Sequence, residues 1–174
     1  LDLPPSCHVV GTSMGALLAM AYVGQHVDRT ATLTLVGPAG LSRRPVAQKL
    51  LLGNDIAAGV VATRFGRHFL EQHLGHNVAE ANRAAALAAM IGDASRYEGS
   101  IYALFDTLQH FPLFDRAELY RHTGTLRLPT QLIWGREDHV TPISSLDYVR
   151  ELLQPSQCHV IEDCGHMAPF ERPL

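Results

Sequence analysis

The chain has 174 residues, 47% of them hydrophobic and 18% charged, with a formal net charge of −3. That apolar content supports one sizeable core. The 13 arginines and one lysine are scattered, with Arg43-Arg44 as the densest pair, which excludes a basic nucleic-acid face. No apolar run reaches the roughly 18 residues of a membrane span.

Cys7, Cys158 and Cys164 have no metal-ligand spacing and leave one thiol over, so they read as reduced cysteines of a cytoplasmic protein. The chain opens on Leu1-Asp2-Leu3-Pro4-Pro5, with neither an initiator methionine nor a signal-peptide pattern. It enters a strand within a few residues, an abrupt start.

That strand, 7–10, is short and apolar. Gly11-Thr12-Ser13-Met14-Gly15 follows, then an apolar run opening a helix over about 14–25. Gly-x-Ser-x-Gly between a strand and a helix is the pattern of a nucleophile elbow, a sharp turn that holds a serine hydroxyl out at the top of a sheet. The crowding of such a crossing asks for glycine at both Gly11 and Gly15. The helix is apolar nearly all round, which predicts burial on several sides. Residues 31–36 form the next strand, parallel to the first across a βαβ unit.

From 41 to 125 strand signals vanish. Helical patterns cover 46–52, 57–74, 78–91 and 97–111, an insertion with the character of a cap over a site. Its aromatic residues Tyr97, Tyr102, Phe105, Phe111 and Phe114 read equally as an acyl pocket or as cap core. The sheet resumes with a strand at 128–135, a helix at 144–153 that Ser144 could cap, and a strand at 157–161.

A serine nucleophile needs a base, and the base needs an anion to fix its tautomer. Ser13, Asp138 and His166 each lie just past a strand, and strand ends of an open parallel sheet share one edge. Their order, Ser, Asp, His, is that of the elbow-bearing hydrolases. Glu137 competes with Asp138. Asp163 fits a capping or solvent-facing role better than an acid's, and His8, His139 and His159 read as packing or surface residues. His68, His73 and His76 do not form a convincing metal site.

Three blocks carry a family resemblance: Gly11-Thr12-Ser13-Met14-Gly15; Trp134-Gly135-Arg136-Glu137-Asp138-His139-Val140-Thr141-Pro142; and Gly165-His166-Met167-Ala168-Pro169-Phe170-Glu171-Arg172-Pro173. In order and spacing they resemble the serine esterase and lipase branch of the α/β-hydrolase superfamily. The resemblance implies an α/β fold: the C-terminal part of a parallel sheet, with four strands, at 1–40 and 126–174, and a helical cap at 41–125. It makes Ser13 the nucleophile, Asp138 the acid and His166 the base, with the Met14 backbone N–H in the oxyanion hole. Thr12 stands where many relatives carry histidine.

The resemblance also implies earlier strands and a second oxyanion donor that this chain lacks, and a longer C-terminal helix. The strand at 7–10 would then need those strands, or a partner chain, to cover its edge, and the 174 residues alone should fold poorly or be nearly inactive. The implied reaction is hydrolysis of a small-molecule carboxylic ester or related acyl substrate, with no metal or organic cofactor. A carbon–carbon bond hydrolase, a lactonase and a cofactor-free peroxidase would share every motif. A non-catalytic ligand binder or an inactive fragment are the readings of another class.

Overall fold

The computed structural model describes residues 5–43, 60, 64, 78–97 and 99–173. Strands β1 (Cys7–Thr12), β2 (Thr30–Val36), β3 (Thr130–Gly135) and β4 (Gln157–Ile161) form a four-stranded sheet in the order β1-β2-β3-β4. Every neighbouring pair is parallel. The strands run one or two residues past the sequence expectation at some ends, and β4 coincides with it.

Helix α1 (Met14–Gln25) returns the chain from β1 towards β2. Helices α2 (Ala81–Ala94), α3 (Ser100–His110) and α4 (Ala117–Thr125) precede β3, and α5 (Leu146–Leu153) precedes β4. A short helix, α6 (Ala168–Glu171), follows β4. The expected helices at 46–52 and 57–74 lie outside the described residues, apart from the isolated positions 60 and 64.

The side-chain alternation of the strands sorts the sheet into two faces. Leu33, Leu35, Leu132 and Trp134 point to one face, where they are buried with Ala16, Leu17, Ala19, Met20 and Val23 of α1 and with Val149, Leu152 and Leu153 of α5. Tyr120 of α4 belongs to the same cluster, and its hydroxyl donates to the Ala39 carbonyl at 2.5 Å. Helix α4 therefore packs with the sheet, whereas its position in the sequence had counted it with the cap. Its burial pushes the Tyr120 phenol well above the ordinary range.

The opposite face is less covered among the described residues. Val36, Ile133 and Ile161 meet Cys164 and Ala168 near the strand ends. Towards the strand starts, His8, Val10 and His159 are exposed, Val10 at 65%. Leu18 and Tyr22 of α1 are exposed too, so the burial on several sides expected of α1 is only partly realised.

Two local expectations are corrected. Helix α5 starts at Leu146 after a 3-10 turn at Ile143–Ser145, and neither Ser144 nor a side-chain bond from Ser145 caps it. Of the two elbow glycines, only Gly11 is sterically required. A β-carbon there would lie 2.6 Å from the Gly15 carbonyl oxygen and 2.7 Å from the Ala16 Cα, whereas one on Gly15 would meet nothing within 4 Å. Helix α1 leans onto the strand through its first turn at Ala16, so Gly11 takes the close approach and Gly15 faces away.

This difference predicts opposite outcomes for two alanine substitutions. Gly11→Ala should cost about 1–3 kcal/mol through a clash with main-chain atoms that cannot swing aside. Gly15→Ala should be neutral or stabilising by up to about 1 kcal/mol, because alanine suits a helix better than glycine. Urea-unfolding midpoints of the two variants measure both.

Candidate active site

Ser13 is the hinge between β1 and α1, and it sits at φ 53°, ψ −121°. A non-glycine residue in that region costs on the order of 1–3 kcal/mol and persists only where its surroundings hold it. Here three main-chain bonds do so. Ser13 N–H donates to the Val36 carbonyl at 2.9 Å, and its own carbonyl accepts from Ala16 N–H at 3.1 Å and Ala39 N–H at 3.2 Å. The end of β2 thus clamps the turn on both sides. Met14 opens α1, so its N–H is among the first-turn donors that have no partner within the helix.

The loops after β3 and β4 bring Asp138 and His166 together. Asp138 Oδ2 and His166 Nδ1 are 2.8 Å apart, and the two residues are only 3% and 4% exposed. A carboxylate can only accept, so Nδ1 carries the proton and Nε2 is left with its lone pair. Asp138 has three further bonds: Oδ1 accepts from the main-chain N–H groups of Val140 and Thr141 at 2.9 and 2.8 Å, and Oδ2 accepts from the Thr141 hydroxyl at 2.8 Å. Burial pushes the Asp138 carboxyl up, but the hydrogen bond and charge of His166 and the two Thr141 bonds together outweigh it and hold the group below its ordinary value.

Gly37 connects this pair to the serine turn. It directly follows Val36, whose carbonyl holds Ser13, and it adopts φ +46°. A β-carbon on Gly37 would stand 3.1 Å from Asp138 Oδ2, 3.3 Å from His166 Nδ1 and 3.4 Å from Thr141 Oγ1. The three sequence candidates therefore gather at one edge of the sheet, with Gly37 between the serine turn and the Asp138–His166 pair.

The sequence reading passed over Thr141 and Gly37. Thr141 is itself anchored, since its carbonyl accepts from the Trp134 indole at 2.7 Å. Trp134 is fully buried, so the block from Trp134 to Thr141 is one braced loop. The signal for Thr141 lay in its distance from Asp138: a hydroxyl three residues on can close a turn onto a carboxylate.

Glu137 has a different task. Its carboxylate accepts from Cys164 N–H at 2.7 Å, while its own N–H donates to the Cys164 carbonyl at 2.9 Å, pinning the histidine loop to β3. Gly135 allows that approach, for a β-carbon there would lie 2.4 Å from the Cys164 carbonyl oxygen. Burial and, after it, the charge of Glu171 push the Cys164 thiol up to about 11, so it stays protonated and is a poor nucleophile near neutral pH.

His8, His139 and His159 are exposed, and His8 bonds to the Thr32 hydroxyl at 2.8 Å. Asp163 is exposed, its carbonyl accepting from Arg172. Tyr97 and Tyr102 are exposed, and Phe105 is buried. Among the described residues no cluster of histidine, cysteine and carboxylate side chains could hold a metal ion, and His68, His73 and His76 lie outside those residues.

A family model described as alpha/beta hydrolase fold matches residues 4–173. The monoacylglycerol lipase abhd6-B of Xenopus laevis is 29% identical over 174 residues, covering 95% of this chain and 51% of the relative. The 2-hydroxymuconate semialdehyde hydrolase of Pseudomonas putida is 26% identical, covering 94% of this chain and 57% of that protein. This chain spans about half the length of these curated relatives. A solved thermophilic esterase from Thermogutta terrifontis shares the fold at a TM-score of 0.75 and 21% identity, over 97% of this chain and 61% of its own.

Two outcomes follow from the site's packing. Asp138 contributes stability above its ordinary value of 3.8, and this contribution is lost as pH falls through its lower folded value. The stability gap between the wild type and Asp138→Asn, read from urea unfolding, should therefore narrow from about pH 6 to about pH 3. Gly37→Ala should displace the Asp138–His166 pair while leaving the core intact, broadening or removing the low-field proton resonance of the His166 Nδ1–H with a smaller effect on stability.

Proposed function

The chain belongs to the alpha/beta hydrolase fold family, and on that footing we propose that it is the catalytic part of a carboxylic ester hydrolase in which Ser13 is the nucleophile, His166 the base and Asp138 the orienting acid. The observation that carries this reading is the buried 2.8 Å Asp138–His166 bond, packed against the residue that follows Ser13's main-chain acceptor.

In this mechanism the Ser13 oxygen bonds to the acyl carbon as its proton passes to His166 Nε2. The oxyanion that forms accepts from the Met14 N–H, at the positive end of α1. As the tetrahedral species collapses, His166 returns the proton to the departing alcohol and an acyl-serine remains. Water then gives a proton to His166 and its hydroxyl to the acyl carbon, and as this second tetrahedral species collapses His166 returns that proton to the Ser13 oxygen, releasing the acid. Asp138 stabilises the imidazolium in both halves, and the chemistry draws on no metal or organic cofactor.

The substrate class is an ester of a small or medium apolar acid, in keeping with relatives named for monoacylglycerols. We assign the cap role to the insertion before α4. A second oxyanion donor, and cover for the β1 edge, would come from further strands of a longer protein or from a partner chain. No described helix is long and apolar enough to cross a membrane, and three free cysteines favour a reducing, cytoplasmic setting. Carbon–carbon bond hydrolysis stands as the second reading, supported by the relative named for 2-hydroxymuconate semialdehyde.

A fluorophosphonate probe should label the intact protein once, at Ser13, and Ser13→Ala should abolish labelling. Hydrolysis of p-nitrophenyl butyrate should fall at least about 10³-fold in Ser13→Ala and in His166→Ala. Intact-mass detection and a chromogenic assay read the two. An unlabelled, inactive wild type would overturn the reading in favour of a ligand binder.

A further inference from the structure

Asp138 holds the ring of His166, and a second carboxylate holds its main chain. Glu171, on α6, is 0% exposed. Its Oε1 accepts from Gly165 N–H at 3.0 Å and Met167 N–H at 3.2 Å, and its Oε2 accepts from Gly165 N–H at 3.0 Å and Ala79 N–H at 2.7 Å. The amides immediately before and after His166 thus end on one buried side chain. A buried carboxylate is costly unless its lone pairs are filled, and here main-chain N–H groups fill them on both oxygens.

The third amide comes from elsewhere. Ala79 lies just ahead of α2, about midway along the insertion at 41–125. Two neighbouring contacts run the same way: Arg83 Nη1 donates to the Phe170 carbonyl at 2.7 Å, and Arg172 pairs with Glu80 at 2.6 Å. The Arg172–Glu80 pair is about one-third exposed on both sides, and pairs so open to water contribute little. The buried carboxylate is the stronger tie.

We propose that Glu171 is a positioning residue. It sets the main chain on both sides of His166 so that the imidazole meets Asp138, and through Ala79 it fastens the segment leading into α2 to the same loop. The role rests on the reading of His166 as the base, but the geometry it sets is measurable without turnover. Glutamine is the informative replacement because it keeps the volume while turning one acceptor oxygen into a donor that faces N–H groups.

The test compares Glu171→Gln and Glu80→Gln with the wild type in the intact protein. Glu171→Gln should lower kcat about 10- to 100-fold with KM changed less than about twofold, since misplacing a catalytic group by 1 Å costs that order. The low-field proton resonance of His166 Nδ1, identified by its absence in His166→Ala, should broaden or vanish. Glu80→Gln, which weakens only the exposed pairs of Glu80 with Arg172 and Arg83, should stay within about twofold of wild type. Wild-type kinetics and an intact low-field proton in Glu171→Gln, or an equal loss in Glu80→Gln, would overturn the proposal.

Should Glu171→Gln fail to fold, the wild type still answers. The amide protons of Ala79, Gly165 and Met167 should all resonate downfield and exchange slowly with solvent, as expected for buried donors to one carboxylate. Ordinary shifts and rapid exchange at these three amides overturn the proposal. These resonances do not depend on turnover, so a protein that shows them and yet resists the fluorophosphonate refutes the esterase reading alone.

Discussion

Burying a carboxylate beside an imidazole sets the terms for this end of the sheet. Removing either group from water is unfavourable, and the 2.8 Å Asp138–His166 bond offsets only part of that cost. The remaining acceptor capacity of Asp138 has to be filled locally, and it is filled by Val140 N–H, Thr141 N–H and the Thr141 hydroxyl. Thr141 can serve because the Trp134 indole holds its carbonyl. The demand of one carboxylate thus reaches back through the loop to a core tryptophan at the end of β3.

The same demand explains where glycine is required. Gly37 and Gly135 stand where the serine turn, the Asp138 loop and the histidine loop approach most closely, and a β-carbon at either would intrude on the pair or on Cys164 and Gly165. Ser13 carries the complementary burden. Its strained backbone is held by Val36 at the end of β2 and by Ala39 just beyond it, with a third bond from Ala16 of its own helix. The segment from Val36 to Ala39 therefore touches both the serine turn and, through Gly37, the Asp138–His166 pair.

The sequence made the strand–turn–helix of the elbow and the three candidate residues legible because each is announced locally. A glycine-flanked serine follows an apolar run, and an acid and a histidine follow later strands. Thr141 had a local signal three residues from Asp138, whereas Gly37 and Glu171 were not legible in that way. Their roles depend on contacts across the chain, 104 positions from Thr141 to Gly37 and 92 from Ala79 to Glu171, and no periodicity encodes these. The same limit explains the corrections. Composition could not tell that α4 packs on α1 and α5, nor that Gly15 faces open space while Gly11 touches main chain. Ser144 looked like a cap because a serine preceded a helical pattern, yet the turn at Ile143–Ser145 places the helix start beyond it.

Parallel sheets ordinarily bury both faces. Here α1, α4 and α5 cover one, while His8, Val10 and His159 stay exposed on the other among the described residues. The Asp138–His166 pair does not depend on that open face. Its partners come from the ends of β2 and β3 and from the loops beyond β3 and β4, with Glu171 behind the histidine. The open face runs from β1, at His8 and Val10, to β4, at His159, and the outer side of α1, where Leu18 and Tyr22 are exposed, lies on the other side of the sheet. The pairing of His166 with Asp138 is held by contacts already within this chain.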